Sequence, residues 1–78
     1  MKTLNFTNAT SAYNFLNNRA FTPIVVDNKP VVNQFGITEI RGIFDIIDRR
    51  TKEAVGRMYT SAIVDGKHKA IKEIKMVF

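Results

Sequence analysis

The sequence predicts an α+β fold in which one N-terminal helix packs on an antiparallel sheet of four to five strands. Three observations support this class: a single amphipathic segment near the N-terminus, several β-branched runs after it, and turn signals between those runs. The 78 residues make one domain, residues 1–78, because so short a chain leaves no room for a second core.

The first elements are a short β-prone run, "TLNF", and the helix. Thr7 or Asn8 is a suitable N-cap, because either side chain accepts hydrogen bonds from the first free N–H groups of a helix. Asn17 and Asn18 suit its end, since asparagine tolerates the left-handed conformation. Apolar residues at spacings of three and four predict one buried face, formed by Ala9, Ala12, Tyr13, Leu16 and Ala20.

The middle of the chain predicts strands separated by bends. "PIVVDNKPVV" places two β-branched runs around "DNKP", a turn signal, and its Pro30 does not fit a central strand. Gly36 predicts another bend. Residues 39–48 and 54–64 then predict a long hairpin joined by "RRTK".

One register of this hairpin matches charges and apolar side chains at the same time, as cross-strand stabilisation requires. It pairs Arg49 with Glu53, Asp45 with Arg57, Ile47 with Val55, and Phe44 with Met58. Strand alternation then divides the apolar residues between two faces. One face carries Ile43, Ile47, Val55 and Tyr59, and the other carries Phe44, Ile46 and Met58.

The C-terminal segment is open to two interpretations. Asp65-Gly66 is a strong two-residue hairpin signal, which predicts a final strand from Lys67 onward. Ala70, Ile71, Ile74, Val77 and Phe78 also fit helical spacing, so a helix is the alternative. We favour the strand, because the turn signal is sharper than a ten-residue periodicity.

The sequence does not predict an active site, a metal or a cofactor. It has no cysteine, and its one histidine, His68, lies beside a predicted turn between two lysines. Asp45 and Asp48 are not expected to act as a carboxylate pair, because strand alternation points them to opposite faces. We therefore expect a protein that is not an enzyme.

The positive charge is concentrated in the second half of the chain. The formal net charge is +5, and residues 41–78 hold nine basic against five acidic residues. Clustered Lys and Arg predict attraction to an acidic macromolecule, either RNA or DNA or an acidic protein surface. The alternative is a simple solubility device, since lysines on an edge strand discourage aggregation. The predicted binding residues are Arg49, Arg50, Lys52, Arg57, Lys67, Lys69, Lys72 and Lys75.

A lone helix covers only one face of a sheet, so the other must meet solvent, a second copy or another protein. Phe35 and Tyr59 are the candidate exposed aromatic residues for base stacking, whereas Phe6, Phe15, Phe44 and Phe78 are predicted to lie in the core.

"FDIIDRRTKEAVG" resembles the "D-x-x-T-x-E-x-V-G" hairpins of small accessory proteins of tailed bacteriophages. A glycine commonly follows the threonine in those hairpins, whereas Lys52 stands there in this chain. The resemblance implies a host-takeover or anti-defence protein that binds and blocks a host enzyme, such as a nuclease, or its nucleic-acid complex. It carries over no site residue.

These observations predict a small basic inhibitor or adaptor in the cytoplasm, that of the host if a phage encodes it. Direct RNA or DNA binding is one alternative, and a structural protein that dimerises through its uncovered sheet face is another. No secretion signal or apolar run long enough to span a bilayer is present in the sequence, so no membrane partner is expected.

Overall fold

The computed structural model describes residues 2–32, 34–65 and 68–78, with His68 described by its backbone alone. Within these described residues, five strands and one helix follow one another along the chain. They are β1 (Thr3–Phe6), α1 (Ala9–Asn18), β2 (Phe21–Val32), β3 (Thr38–Asp48), β4 (Ala54–Asp65) and β5 (His68–Val77).

All five strands form one antiparallel sheet, in the order β1-β5-β4-β3-β2. Strands β2 to β5 form a meander, and β1 pairs with the C-terminal half of β5. The predicted α+β class, with one helix and an antiparallel sheet, is confirmed. The C-terminal segment is a strand, as predicted, and not a helix. Asp65, the first residue of the predicted Asp65-Gly66 turn, is instead the last residue of β4, and residues 66 and 67 lie outside the described residues.

The helix begins at the predicted cap and buries a face slightly different from the predicted one. The Asn8 side chain accepts a hydrogen bond of 2.8 Å from the Ser11 N–H. Ala12 and Leu16 are buried, but Tyr13 is 62% exposed, which corrects its predicted place in the core. Phe15 packs there instead. The left-handed residue after the helix is Ala20, with φ of 57°, and neither Asn17 nor Asn18.

The core lies between α1 and one face of the sheet. Its buried residues are Ala12, Leu16, Ile46, Met58, Ile74 and Met76. Four aromatic rings continue it in a row, because Phe15 contacts Phe6 and Phe78, and Phe78 contacts Phe21, with centroids 5.6–5.9 Å apart. The predicted core positions of Phe6, Phe15, Phe44 and Phe78 are confirmed, although all four remain partly exposed.

The long hairpin forms with most of its predicted register. Asp45 lies opposite Arg57 and Phe44 opposite Met58, as expected. The register shifts after Ile46, so Ile47 pairs with Ala54 and Val55 is the extra residue of a β-bulge. Val55 therefore packs against the core, and its predicted place beside Ile43 and Tyr59 was wrong. The turn also replaces the predicted Arg49–Glu53 pair, because the Asp48 N–H donates to the Glu53 carbonyl at 2.9 Å.

Strand β2 corrects the predicted turn at "DNKP". The chain runs as one strand from Phe21 to Val32, and the register shifts only at a bulge between Val25 and Asp27. Pro30 is tolerated because β2 is an edge strand, where a missing N–H leaves no ladder bond unmade. The predicted bend at Gly36 is confirmed by its φ of 77°.

The helix covers only part of the sheet. A helix of ten residues is about 15 Å long, whereas the molecule measures 43 Å along its longest axis. We call the covered side the helix face and the opposite side, which no described helix covers, the open face. The ladder register assigns residues to the open face. Its central positions are Glu39, Arg41, Ile43, Asp45, Ile47, Arg57, Tyr59, Ser61, Ile63, Glu73 and Lys75.

Candidate binding surfaces

Tyr59 lies near the centre of the open face. Its neighbours across the ladder are Ile43 on β3 and Lys75 on β5, and the side chain is 37% exposed. The Lys75 ammonium lies 5.4 Å from the centre of the Tyr59 ring, within the range of a cation–π contact. Beside them is a shallow depression of about 250 Å³, which Glu39, Arg41 and Glu73 also line.

Ion pairs fix the charged side chains around this centre. The Ser61 hydroxyl donates to Glu39 at 2.8 Å, and Arg41 Nε lies 3.1 Å from the same carboxylate oxygen. The Ser61 bond, followed by that of Arg41, holds the pKa of Glu39 below its ordinary value. Arg57 Nε lies 3.3 Å from Asp45, as the predicted register required. These contacts hold side chains in place at the surface.

The open face carries no excess of positive charge. The register rows contain four cations and five anions, namely Lys29, Arg41, Arg57 and Lys75 against Asp27, Glu39, Asp45, Asp65 and Glu73. The predicted leftover face is thus a mixture of apolar side chains and ion pairs. The positive excess of the chain must lie elsewhere.

Much of that excess lies at one end of the sheet, which we call the basic end. It comprises Lys2, Arg19, Arg49, Arg50 and Lys52. The Arg49 N–H donates to the Ala20 carbonyl at 2.9 Å, which attaches the β3–β4 turn to the end of α1. Lys2 and Arg19 line one small groove beside this junction, together with Phe15 and Phe78. The Arg19 guanidinium lies 4.3 Å from the Phe15 ring centre and is held there.

Asp48 organises the turn that carries three of these cations. Its carboxylate accepts a 2.8 Å bond from the Arg50 N–H and lies 3.4 Å from Arg50 Nε, while its carbonyl accepts from the Lys52 N–H. The backbone bond from Arg50 is the main cause that holds the pKa of Asp48 below its ordinary value. Lys52 adopts a φ of 67°, the left-handed conformation that glycine favours. The turn therefore requires a left-handed residue at position 52, where the resembling hairpins have glycine.

The structure separates the predicted binding residues into three locations. Arg49, Arg50 and Lys52 lie together at the basic end. Arg57 and Lys75 lie on the open face. Lys69 and Lys72 lie on the N-terminal half of β5, whose outer side β1 does not pair, and Lys67 lies outside the described residues.

Lys69, Lys72 and Lys75 do not lie along one continuous edge. Lys75 pairs with Asn5 of β1 on one side and with Tyr59 on the other, so it lies inside the sheet. Lys72 is the extra residue of a bulge between Ser61 and Ala62. Only Lys69 and Lys72 therefore mark the exposed edge among the described positions.

Lys2 and Arg19 belong to the basic end but were not among the predicted binding residues. No local pattern singles them out, because each is an isolated cation in its own segment. The antiparallel closure of β1 on β5 brings Lys2 to this end, and the C-terminus of α1 brings Arg19. The order of the strands in the sheet, and not a local sequence pattern, would have located these two residues.

The described residues contain no group of three His, Asp or Glu side chains arranged to hold a metal ion. Asp45 faces Arg57 on the open face, whereas Asp48 is 8% exposed and bonded within its turn. No helix among the described residues is long and apolar enough to cross a bilayer.

Comparison with known proteins found no matching family model, no matching curated protein and no matching solved structure.

Proposed function

We propose that this chain is a non-enzymatic binding protein that docks the Tyr59 region of its open face on a protein partner. The partner surface is acidic where it meets the basic end. By its hairpin resemblance, the chain would be a phage-type inhibitor of a host enzyme, acting in the cytoplasm. The observation that carries the proposal is the half-exposed Tyr59, set among ion-paired arginines and apolar side chains on an uncovered sheet.

The composition of this region is that of a protein interface. Tyrosine and arginine are enriched at the centres of such interfaces. The tyrosine ring buries a large area with few free rotations, and the arginine guanidinium offers five hydrogen-bond donors. Tyr59 offers a ring flanked by Ile43, and Arg41 and Arg57 are already held by Glu39 and Asp45. A partner that docks here orders few additional side chains, which lowers the entropy cost of binding.

The charge distribution favours a protein over a nucleic acid on the open face. A phosphate backbone rewards a surplus of cations, and the register rows of this face have none. The basic end lies beside the face and would attract an acidic partner, which raises the rate of encounter. The open face would then dock the partner, and the basic end would steer the partner during encounter.

The non-enzymatic part of the proposal is supported by how the carboxylates are used. Asp45 is engaged by Arg57, Glu39 by Ser61 and Arg41, and Asp48 by its own turn. A carboxylate that serves as general base or nucleophile must be placed to meet a substrate. These three are placed to hold neighbouring side chains and backbone.

Affinity capture from a bacterial lysate tests the proposal with a pair of tyrosine variants. Tyr59→Ala should lose a captured protein about tenfold or more, since truncating an interface anchor costs about 2 kcal/mol. Tyr13→Ala is the matched control, because it removes an equally large but more exposed ring from the helix. Equal capture by both variants would rule out docking through Tyr59.

Direct RNA or DNA binding is the second candidate, and the basic end favours it. Five cations gather there around Asp48 and Glu53, and Asp48 is occupied by Arg50. Nuclease treatment of the lysate before capture separates the two functions. A partner that disappears with nuclease, together with a mobility shift on RNA or DNA that weakens with salt, would favour nucleic acid.

A further inference from the structure

Strand β5 has an unpaired edge that is separate from the open face and from the basic end. Strand β1 pairs with β5 only from Ile74 to Val77. The residues before Ile74 pair with β4 on one side, and no described strand pairs with their other side. This half-edge, residues 68–73, continues the line of β1.

The outward-facing backbone groups of the half-edge follow from the ladder. Lys2 and Phe78 exchange backbone hydrogen bonds of 3.0 and 2.8 Å, so the polar groups of Phe78 face the β1 side. Alternation then gives Ile74 the same direction. The bulge at Lys72 shifts this alternation by one residue, which turns the N–H and C=O groups of Ile71 and Lys69 outward.

The side chains at these two positions lie on the helix face of the sheet. Ile71 pairs with Ala62 and Lys69 with Val64, and both partners lie at even spacing from buried Met58 along β4, hence on the same face. Ile71 is 40% exposed and Lys69 is exposed. The nearest acidic residues, Asp65 and Glu73, fall on the open face by the same register. An added strand would therefore meet an apolar side chain and then an uncompensated cation.

The other long edge is less suited to an added strand. Strand β2 contains Pro23 and Pro30, and a bulge lies between Val25 and Asp27. Each edge carries a bulge, which in β5 lies at Lys72, but the prolines of β2 also remove N–H donors from an added ladder. The half-edge of β5 has no proline in residues 68–73 and is marked by lysines instead.

We propose that the half-edge of β5 binds an extended acidic segment of a partner protein by strand addition. The segment runs antiparallel to β5, in the direction of β1, and presents an apolar residue opposite Ile71 and an acidic residue two positions later, opposite Lys69. Main-chain bonds supply the affinity, and these two side chains supply the choice of partner. This inference does not depend on the proposed function, because it uses a different surface.

The charge on the edge argues against a second copy as the occupant. A second copy would bring its own Lys69 and Lys72 close to the same lysines, and like charges on adjacent strands destabilise a ladder. An acidic strand instead places a carboxylate opposite Lys69. The lysines thus disfavour self-pairing and favour an acidic segment.

A charge-exchange titration tests the inference. The probe is a capped six-residue peptide with the order threonine, valine, threonine, glutamate, threonine, threonine. Its valine and glutamate are therefore two positions apart. A matched peptide has lysine in place of glutamate. We expect the glutamate peptide to shift the backbone amide signals of Lys69 and Ile71 saturably in NMR spectra, and the lysine peptide to bind about five- to tenfold more weakly.

The variant Lys69→Glu should reverse this preference, because it exchanges the sign of the edge. Lys29→Glu, a charge reversal on the opposite edge strand β2, is the matched control and should leave the preference unchanged. The inference fails if neither peptide shifts the two amides, or if Lys69→Glu does not reverse the order while its spectrum remains that of a folded protein. Shifts of the same amides on raising the protein concentration alone would assign the edge to a second copy and also overturn it.

Discussion

Two residues hold a backbone conformation that their side chains disfavour. Lys52 in the β3–β4 turn and Ala20 after α1 have φ values of 67° and 57°. A side chain in the left-handed region costs about 1 kcal/mol or more relative to glycine, which has no Cβ. Both residues lie at junctions near the basic end, where Ala20 also accepts the Arg49 N–H.

We predict that Lys52→Gly stabilises the protein by about 0.5–1 kcal/mol, because the relief of strain exceeds the added entropy of the unfolded chain. Chemical denaturation measures the change. Arg49→Gly is the matched control: it removes the same charge from the same turn but lies outside the left-handed region. That variant should destabilise. A loss of stability in Lys52→Gly equal to that in Arg49→Gly would contradict the prediction.

Asp48 should give the protein a pH-dependent part of its stability. Its folded pKa lies below its ordinary value, so its ionised form stabilises the fold above that value. This contribution disappears as the pH falls through the folded pKa. The free energy of unfolding should therefore decrease on acidification below pH about 4.

The variant Asp48→Asn identifies the residue responsible. The amide keeps an oxygen for the Arg50 N–H but does not titrate, so the variant should lose less stability than the wild type between neutral pH and pH about 3. Urea titrations at both pH values measure this difference. An unchanged loss in the variant would assign the acid sensitivity to other carboxylates, of which Glu39 is the next candidate.

At the scale of elements, local patterns predicted the strands and the helix well but did not locate the bulges. The Asp45–Arg57 and Phe44–Met58 pairs followed from matching charge and apolar character. The bulge at Val55 did not, because it depends on how β4 must bend to bring that side chain to the core. The one extra residue of the bulge places Val55 on the core side of the sheet. The apolar patch predicted around Ile43 and Tyr59 therefore lacks Val55.

Strand β2 shows a second limit of local patterns, because its turn signal does not form a turn. "DNKP" is a turn signal by composition, yet the ladder with β3 continues through it. Cross-strand bonding outweighs local preference where a long partner strand is already in place. The predicted buried face of the helix was also wrong at one position. The spacing of three and four includes Tyr13, whereas Phe15 is the aromatic residue of the helix that packs against the core.

At the scale of the whole molecule, the charge is segregated. The open face has no excess of cations, and the positive excess of the chain lies at the basic end and on the β5 half-edge. The concentration of Arg49, Arg50 and Lys52 in one turn was predictable from sequence. The lack of positive excess on the open face was not, since it depends on which strand neighbours which.

If the basic end attracts an acidic partner, reversing its charge should weaken that attraction. The combined change of Arg49, Arg50 and Lys52 to glutamate takes the formal net charge from +5 to −1. For a nucleic acid, the slope of log affinity against log salt should fall by about two to three. Titrations at several salt concentrations measure it. Unchanged affinity and slope would remove the basic end from any binding role.

Arg50→Glu places a carboxylate beside Asp48, so a companion variant that reverses only Arg49 and Lys52 separates binding from folding. Its slope should fall by about two-thirds as much, since each cation contributes about equally to counterion release.

The bonds between Lys2 and Phe78 also carry a kinetic meaning. The meander strands are joined by turns of five residues or fewer, whereas pairing β1 with β5 closes almost the whole chain into a loop. Loop-closure entropy makes that last pairing costlier than a turn by about 2 kcal/mol. The helix follows β1 directly, so its N-terminal end is fixed over the core only when the two ends of the chain pair.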